Sequence, residues 1–98
     1  MTVQGSQLFV RGLPWKATKA ELSLFLLSHG LDAREHSIQM LCTKRKPNGR
    51  AIVYCQDNYS AMKAAEAIHL AQFGTRYIEV YVYTEVDKIF GAFISNIL

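Results

Sequence analysis

Arg11 and Trp15 stand on either side of Gly12-Leu13-Pro14, and Trp15 is the sole tryptophan in the chain. A guanidinium pairs with phosphate or with the acceptors of a base edge, often through two parallel hydrogen bonds. An indole is a flat apolar plate on which an unpaired base can stack, at about 1–3 kcal/mol per base. Pro14 fixes φ between them, so the corner is ordered before a ligand arrives and loses less entropy on binding. Arg50, the run Lys44-Arg45-Lys46 and the pair Arg76-Tyr77 offer the same two kinds of group. Each has a plainer reading. Trp15 can be a packing residue, Arg11 can pair with Glu79 across a sheet, Tyr77 can fill a sheet with its hydroxyl solvated, and the cationic run can be a solvated surface.

Other chemistry is sparsely supplied. Cys42 and Cys55 lack a metal-ligand spacing and read as buried free thiols of a reducing compartment. His29, His36 and His69 are scattered, so neither a metal nor another cofactor is expected. There is no phosphate-cradling glycine loop and no nucleophile beside a base, which argues against an enzyme. The 98 residues suffice for one domain, and 50% hydrophobic residues with 11% aromatics are enough for a compact core. A net charge of +3 and a pI of about 9.0 permit a nucleic-acid partner without demanding one. Residues 1–7 are polar and no apolar run approaches the length of about 20 that spans a bilayer. The expectation is a soluble intracellular domain with no membrane partner.

The elements that must position these groups can be read in order. Residues 8–13 form an apolar strand stopped by Pro14. Thr18 and Glu21 make a capping box ahead of an apolar helix with Leu22, Leu24, Phe25, Leu26 and Leu27, and Gly30 ends it. Residues 36–43 read as a second strand, 44–49 as a basic loop with turn chemistry in Pro47, Asn48 and Gly49, and 50–56 as a third strand. Asp57 or Asn58 caps a second helix, in which Ala61, Met62, Ala65 and Ile68 recur at helical spacing. A connection containing Gly74 leads to an alternating fourth strand over 77–83. The order βαββαβ predicts an α+β fold, a ferredoxin-like sandwich with a four-stranded antiparallel sheet and two helices on one face. Residues 1–7 are expected to be a flexible terminus and 8–84 the domain. Over 85–98, Val86, Ile89, Phe90, Phe93, Ile94 and Ile97 predict an amphipathic helix that packs on its own sheet or on another chain.

This order is that of RNA-recognition motifs, whose third strand carries two exposed aromatics that stack bases. Here Gly49, Ala51 and Val53 fall in register with that motif, but the stacking positions hold Arg50 and Ile52. The first strand does keep an aromatic, Phe9. Period-two geometry turns Ala51, Val53 and Cys55 toward the helices and leaves Arg50, Ile52 and Tyr54 on the open face with Phe9 and Arg11. Phe9 and Tyr54 are therefore candidate sheet contacts, and Phe9 with Ile52 a landing site for the C-terminal helix.

Two strings, Arg11-Gly-Leu-Pro-Trp15 and Gly74-Thr-Arg-Tyr-Ile-Glu-Val-Tyr81, resemble the quasi-RNA-recognition motifs of the heterogeneous nuclear ribonucleoprotein F/H family. The second string, with helical sequence after it, looks most like the epithelial splicing regulatory protein branch. The resemblance implies an RRM-like fold and a module that holds short G-rich single-stranded RNA with its loops, in pre-mRNA splicing or RNA processing. It also implies a nuclear location, with the cytoplasm as the alternative. By resemblance Arg11, Trp15 and Tyr77 match guanine-cage positions, Arg76 is a matching neighbour, and Lys46 lies where a cation is expected. Arg50 is a departure: the family commonly has a glutamate there. The competing reading is a protein-interaction module on the same scaffold, with a partner or a second copy held by the sheet face and the C-terminal helix.

Overall fold

The computed structural model describes residues 7–83, and its elements grow from local signals. Strand β1 (Gln7–Arg11) enters the turn at Pro14. Helix α1 (Lys19–Ser28) begins at Thr18, whose hydroxyl accepts from the Glu21 N–H at 3.1 Å while Glu21 Oε1 accepts from the Thr18 N–H at 2.9 Å. Its end is a Schellman motif: the Gly30 N–H donates to Leu27 O and the Leu31 N–H to Leu26 O. One turn of 3₁₀ helix at Glu35–Ser37 precedes β2 (Ile38–Thr43). Strand β3 (Lys46–Tyr54) follows, then α2 (Asn58–Ile68), capped by Asp57, which accepts from the Ser60 N–H at 2.7 Å. That bond holds the Asp57 carboxyl below its usual range. A short hairpin of β4 (Gln72–Phe73) and β5 (Arg76–Tyr77) leads into β6 (Glu79–Tyr83).

The main sheet has the order β2-β3-β1-β6 with every neighbour antiparallel. Alternation decides its two faces. Leu8, Val10, Ala51, Val53 and Val80 join Leu22 and Leu26 of α1 and Ala61, Ala64 and Ile68 of α2 in one buried core. Phe73 joins them from β4, its ring 5.0 Å from that of Phe25. The two-layer sandwich expected from the element order is present. Fully burying a Leu- or Val-sized side chain contributes about 1.5–3 kcal/mol, so this core carries the fold.

Several boundaries differ from the sequence reading, each for a tertiary reason. The β2–β3 turn is made by Lys44 and Arg45, at φ 53° and 68°, so β3 starts at Lys46 and takes in Pro47-Asn48-Gly49. Two left-handed residues match the twist of the flanking strands, a geometry that Asn-Gly would have announced and Lys-Arg does not. The fourth strand is split. Tyr77 pairs with Gln72, and Ile78 exchanges backbone bonds with Leu70 and Ala71 before Glu79 joins β1. In α2 the buried face is Ala61, Ala64 and Ile68, and Met62 is exposed. Leu24 and Leu27 lie on the outer side of α1. Gln7, read as part of a flexible terminus, is the first residue of β1. The rest of that terminus and the helix expected over 85–98 lie outside the described residues.

Candidate nucleic-acid interface

The corner after β1 is built by backbone bonds. The Ala17 N–H donates to Pro14 O at 2.9 Å, closing a turn with Trp15 and Lys16 at its two central positions. The indole is 67% exposed, so it is not a core residue. Lys16 Nζ lies 5.2 Å from its ring centroid, a cation–π contact. The neighbouring segments come close to this corner because two glycines omit a Cβ. Gly12, at φ +89°, would place one 3.0 Å from Tyr77 O, and Gly49, at φ +78°, would place one 2.8 Å from Leu13 O. The Leu13 N–H donates to Gly49 O at 3.0 Å and ties the corner to β3. Asn48 stiffens that side, donating to Thr43 Oγ1 and accepting from the Arg50 N–H, both at 3.1 Å.

The result is an open cleft of about 340 Å³ at the end of the sheet where β1 finishes. Arg11, Trp15, Arg50 and Arg76 line it with Gly12, Leu13, Pro47, Asn48 and Gly49. Four of the six candidate RNA contacts are thus brought together. Tyr77, 68% exposed, follows Arg76 on β5 and is not a lining residue, and neither is Lys46, which lies on β3 paired with Thr43 of β2 instead of in a loop. Of the candidate sheet contacts, Phe9 is half-buried between Ile52 and Tyr81 in register. Tyr54 is exposed, donates to Gln39 Oε1 at 3.1 Å, and borders a second cleft of about 510 Å³ at the opposite end, between the loop after α1 and α2.

Arg11 is held by its neighbour across the sheet. Its Nε lies 3.2 Å from Glu79 Oε1, in the register pair Arg11–Glu79. The Tyr81 hydroxyl donates to the same oxygen at 3.2 Å. Burial, then this hydrogen bond, raises the Tyr81 phenol above its usual value. The pairing engages the guanidinium through Nε, and the terminal nitrogens carry the remaining donors of the fork. Among the described residues the other ion pair is Arg34–Asp32, so Arg50 and Arg76 have no carboxylate at ion-pair distance. Sequence reasoning missed the backbone seam Leu13–Gly49 and the bracing Asn48. The Pro-Asn-Gly string signalled a special conformation there, but its partner segment is far away in sequence.

The described residues hold no group of three or more His, Cys, Asp or Glu close enough for a metal ion. No described helix is long and apolar enough to cross a membrane. Of the two cysteines read as buried, Cys42 is exposed and Cys55 is buried, and burial together with the nearby Asp57 charge pushes the Cys55 thiol up to about 11 from 9.0.

Sheet order, helix placement and register together define a ferredoxin-like α+β sandwich. Residues 8–97 match the family model described as the RRM domain, and the chain belongs to that family. Solved structures share the fold. Human G-rich RNA sequence binding factor 1 is 24% identical with a TM-score of 0.71, over 93% of this chain and 94% of that one. The qRRM2 domain of Glorund is 20% identical with a TM-score of 0.71, over 86% and 94%. The second RNA recognition motif of RNA-binding protein 19 is 20% identical with a TM-score of 0.70, over 86% and 88%.

Proposed function

We propose that this chain is a non-catalytic, single-stranded RNA-binding module of the quasi-RRM type, which holds G-rich RNA at its loop end and serves pre-mRNA splicing or RNA processing in the nucleus. One observation carries the reading: three guanidiniums and an exposed indole line a single open cleft. The stacking positions of β3 hold Arg50 and Ile52, which gives the sheet face little to stack bases with. The G-rich preference rests on the Arg11–Trp15 and Gly74–Tyr81 strings. The human relative is named for binding G-rich RNA, and at its identity the likeness is one of fold. The test is a titration of labelled G-tract and A-tract oligonucleotides with amide shift mapping. Shifts are expected at residues 11–16, 44–50 and 74–78. Shifts centred on Phe9, Ile52 and Tyr54 would mean sheet binding, and negligible affinity for both oligonucleotides would remove the reading.

A protein-interaction role is favoured by a different observation, the apolar Phe9 and Ile52 side by side on the open face. Truncation after Glu85 separates the two. Loss of a dimer with the domain still folded assigns the C-terminal segment to an interface, whereas a gain in RNA affinity assigns it to a lid over the sheet.

A further inference from the structure

Arg11 and Arg50 are direct cross-strand partners in the β1–β3 register, and both line the cleft with Arg76. Like charges placed opposite each other in a sheet repel. Among the described residues one carboxylate, Glu79, answers one of the three guanidiniums, and no acidic side chain lines the cleft itself. A neutral base cannot balance what remains. The Hoogsteen edge of guanine satisfies a single arginine fork, and its Watson–Crick edge carries N–H donors for which no described lining residue offers a carboxylate. A phosphate balances the surplus charge and matches the guanidinium fork with two parallel bonds.

We infer that the cleft is a phosphate clamp, in which Arg50 and Arg76, with the outer nitrogens of Arg11, hold a backbone phosphodiester of the bound strand while Trp15 stacks an adjacent base. This rests on the RNA-binding reading and deepens it. Arg50 is then a specificity-determining residue: it trades discrimination between bases for charge-driven affinity. A carboxylate at this position would accept from guanine N1–H and N2–H and favour that base.

The experiment is fluorescence anisotropy with six-nucleotide G-tract and A-tract RNAs, each with a 5′-hydroxyl and with a 5′-phosphate, at 50 and 200 mM salt. Wild type, R50Q, R50K and R50E are compared after thermal melts confirm that each is folded. The Arg50 side chain is exposed, so R50Q is expected to fold. R50Q should weaken both RNAs alike, by about 10-fold at low salt. Its further loss of affinity between 50 and 200 mM should be about 2.6-fold smaller than that of wild type, one phosphate contact on the single-strand scale. R50K should keep the salt dependence, and R50E should raise the G-to-A affinity ratio. The inference is overturned if R50Q weakens only the G-tract with unchanged salt dependence, or if it changes nothing while wild type binds. An Arg50 effect confined to 5′-phosphorylated RNA would assign a terminal phosphate and overturn the diester. If wild type binds no RNA, the underlying reading fails with it.

Discussion

The N–H of Leu13 donates to the carbonyl of Gly49 at 3.0 Å, and a Cβ on residue 49 would stand 2.8 Å from the Leu13 carbonyl oxygen. This seam joins the corner that carries Trp15 to the strand that carries Arg50. It requires a left-handed backbone at 49 and no side chain there. Gly49→Ala therefore meets both a conformational penalty and a backbone collision. A loss of at least about 2 kcal/mol is expected by urea denaturation, above the 1–2 kcal/mol of the left-handed conformation alone. Wild-type stability in this variant would show that the seam does not hold the two segments together.

Trp15 presents most of its surface to water and contributes little to the core. Trp15→Ala should change stability by less than about 0.5 kcal/mol. RNA affinity should fall by roughly 5- to 150-fold, the equivalent of one stacked base at 1–3 kcal/mol. As the sole tryptophan it also reports directly: its fluorescence should respond to oligonucleotide in the wild-type domain. An affinity unchanged by the substitution would take the indole out of the site.

Glu79 accepts from Tyr81 and pairs with Arg11 at a partly exposed position. Glu79→Gln keeps an acceptor and removes the charge. The stability change should stay below about 1 kcal/mol, as for other solvent-screened pairs. The Tyr81 hydroxyl, raised by burial and by Glu79, should titrate at lower pH in the variant, which NMR of labelled tyrosine ring carbons can follow. A Tyr81 titration indifferent to the substitution would exclude the hydrogen bond in solution.

The two cysteines should behave differently. Cys42 is exposed and Cys55 buried, so iodoacetamide at neutral pH should add one group, at Cys42, by intact mass. The raised Cys55 thiol has a consequence for alkaline stability. The unfolded chain loses this proton near 9.0 and the folded chain near 11, so the stabilisation is complete below pH 9 and is lost as pH rises through 11. The loss should reach about 2–3 kcal/mol, at 1.36 kcal/mol per unit. Tyr81, also raised, adds to the decline from about pH 10 upward. Cys55→Ala should flatten the lower part of this decline, and a curve identical to wild type would refute the assignment.

Local signals made most of the scaffold legible. Thr18 with Glu21, Gly30 and Asp57 marked helix ends that the structure keeps, because capping depends on residues within one turn of each other. Alternation placed Ala51 and Val53 inward for an equally local reason. What could not be read were features set by backbone pairing and not by residue type. The left-handed Lys44-Arg45 turn is imposed by the twist of two paired strands, and the break at Ile78 by bonds to Leu70 and Ala71.

The chain alone therefore determined the order of the main elements, the core face of the sheet and the residue types of the site, since each depends on periodicity or on neighbours along the sequence. Only the tertiary structure decided that Arg11, Trp15, Arg50 and Arg76 share one cleft while Lys46 and Tyr77 stand outside its lining. That grouping comes from strand register and from two glycine-dependent close approaches, which relate residues far apart in the chain, Gly12 and Tyr77 being 65 positions apart. No local pattern encodes such distances.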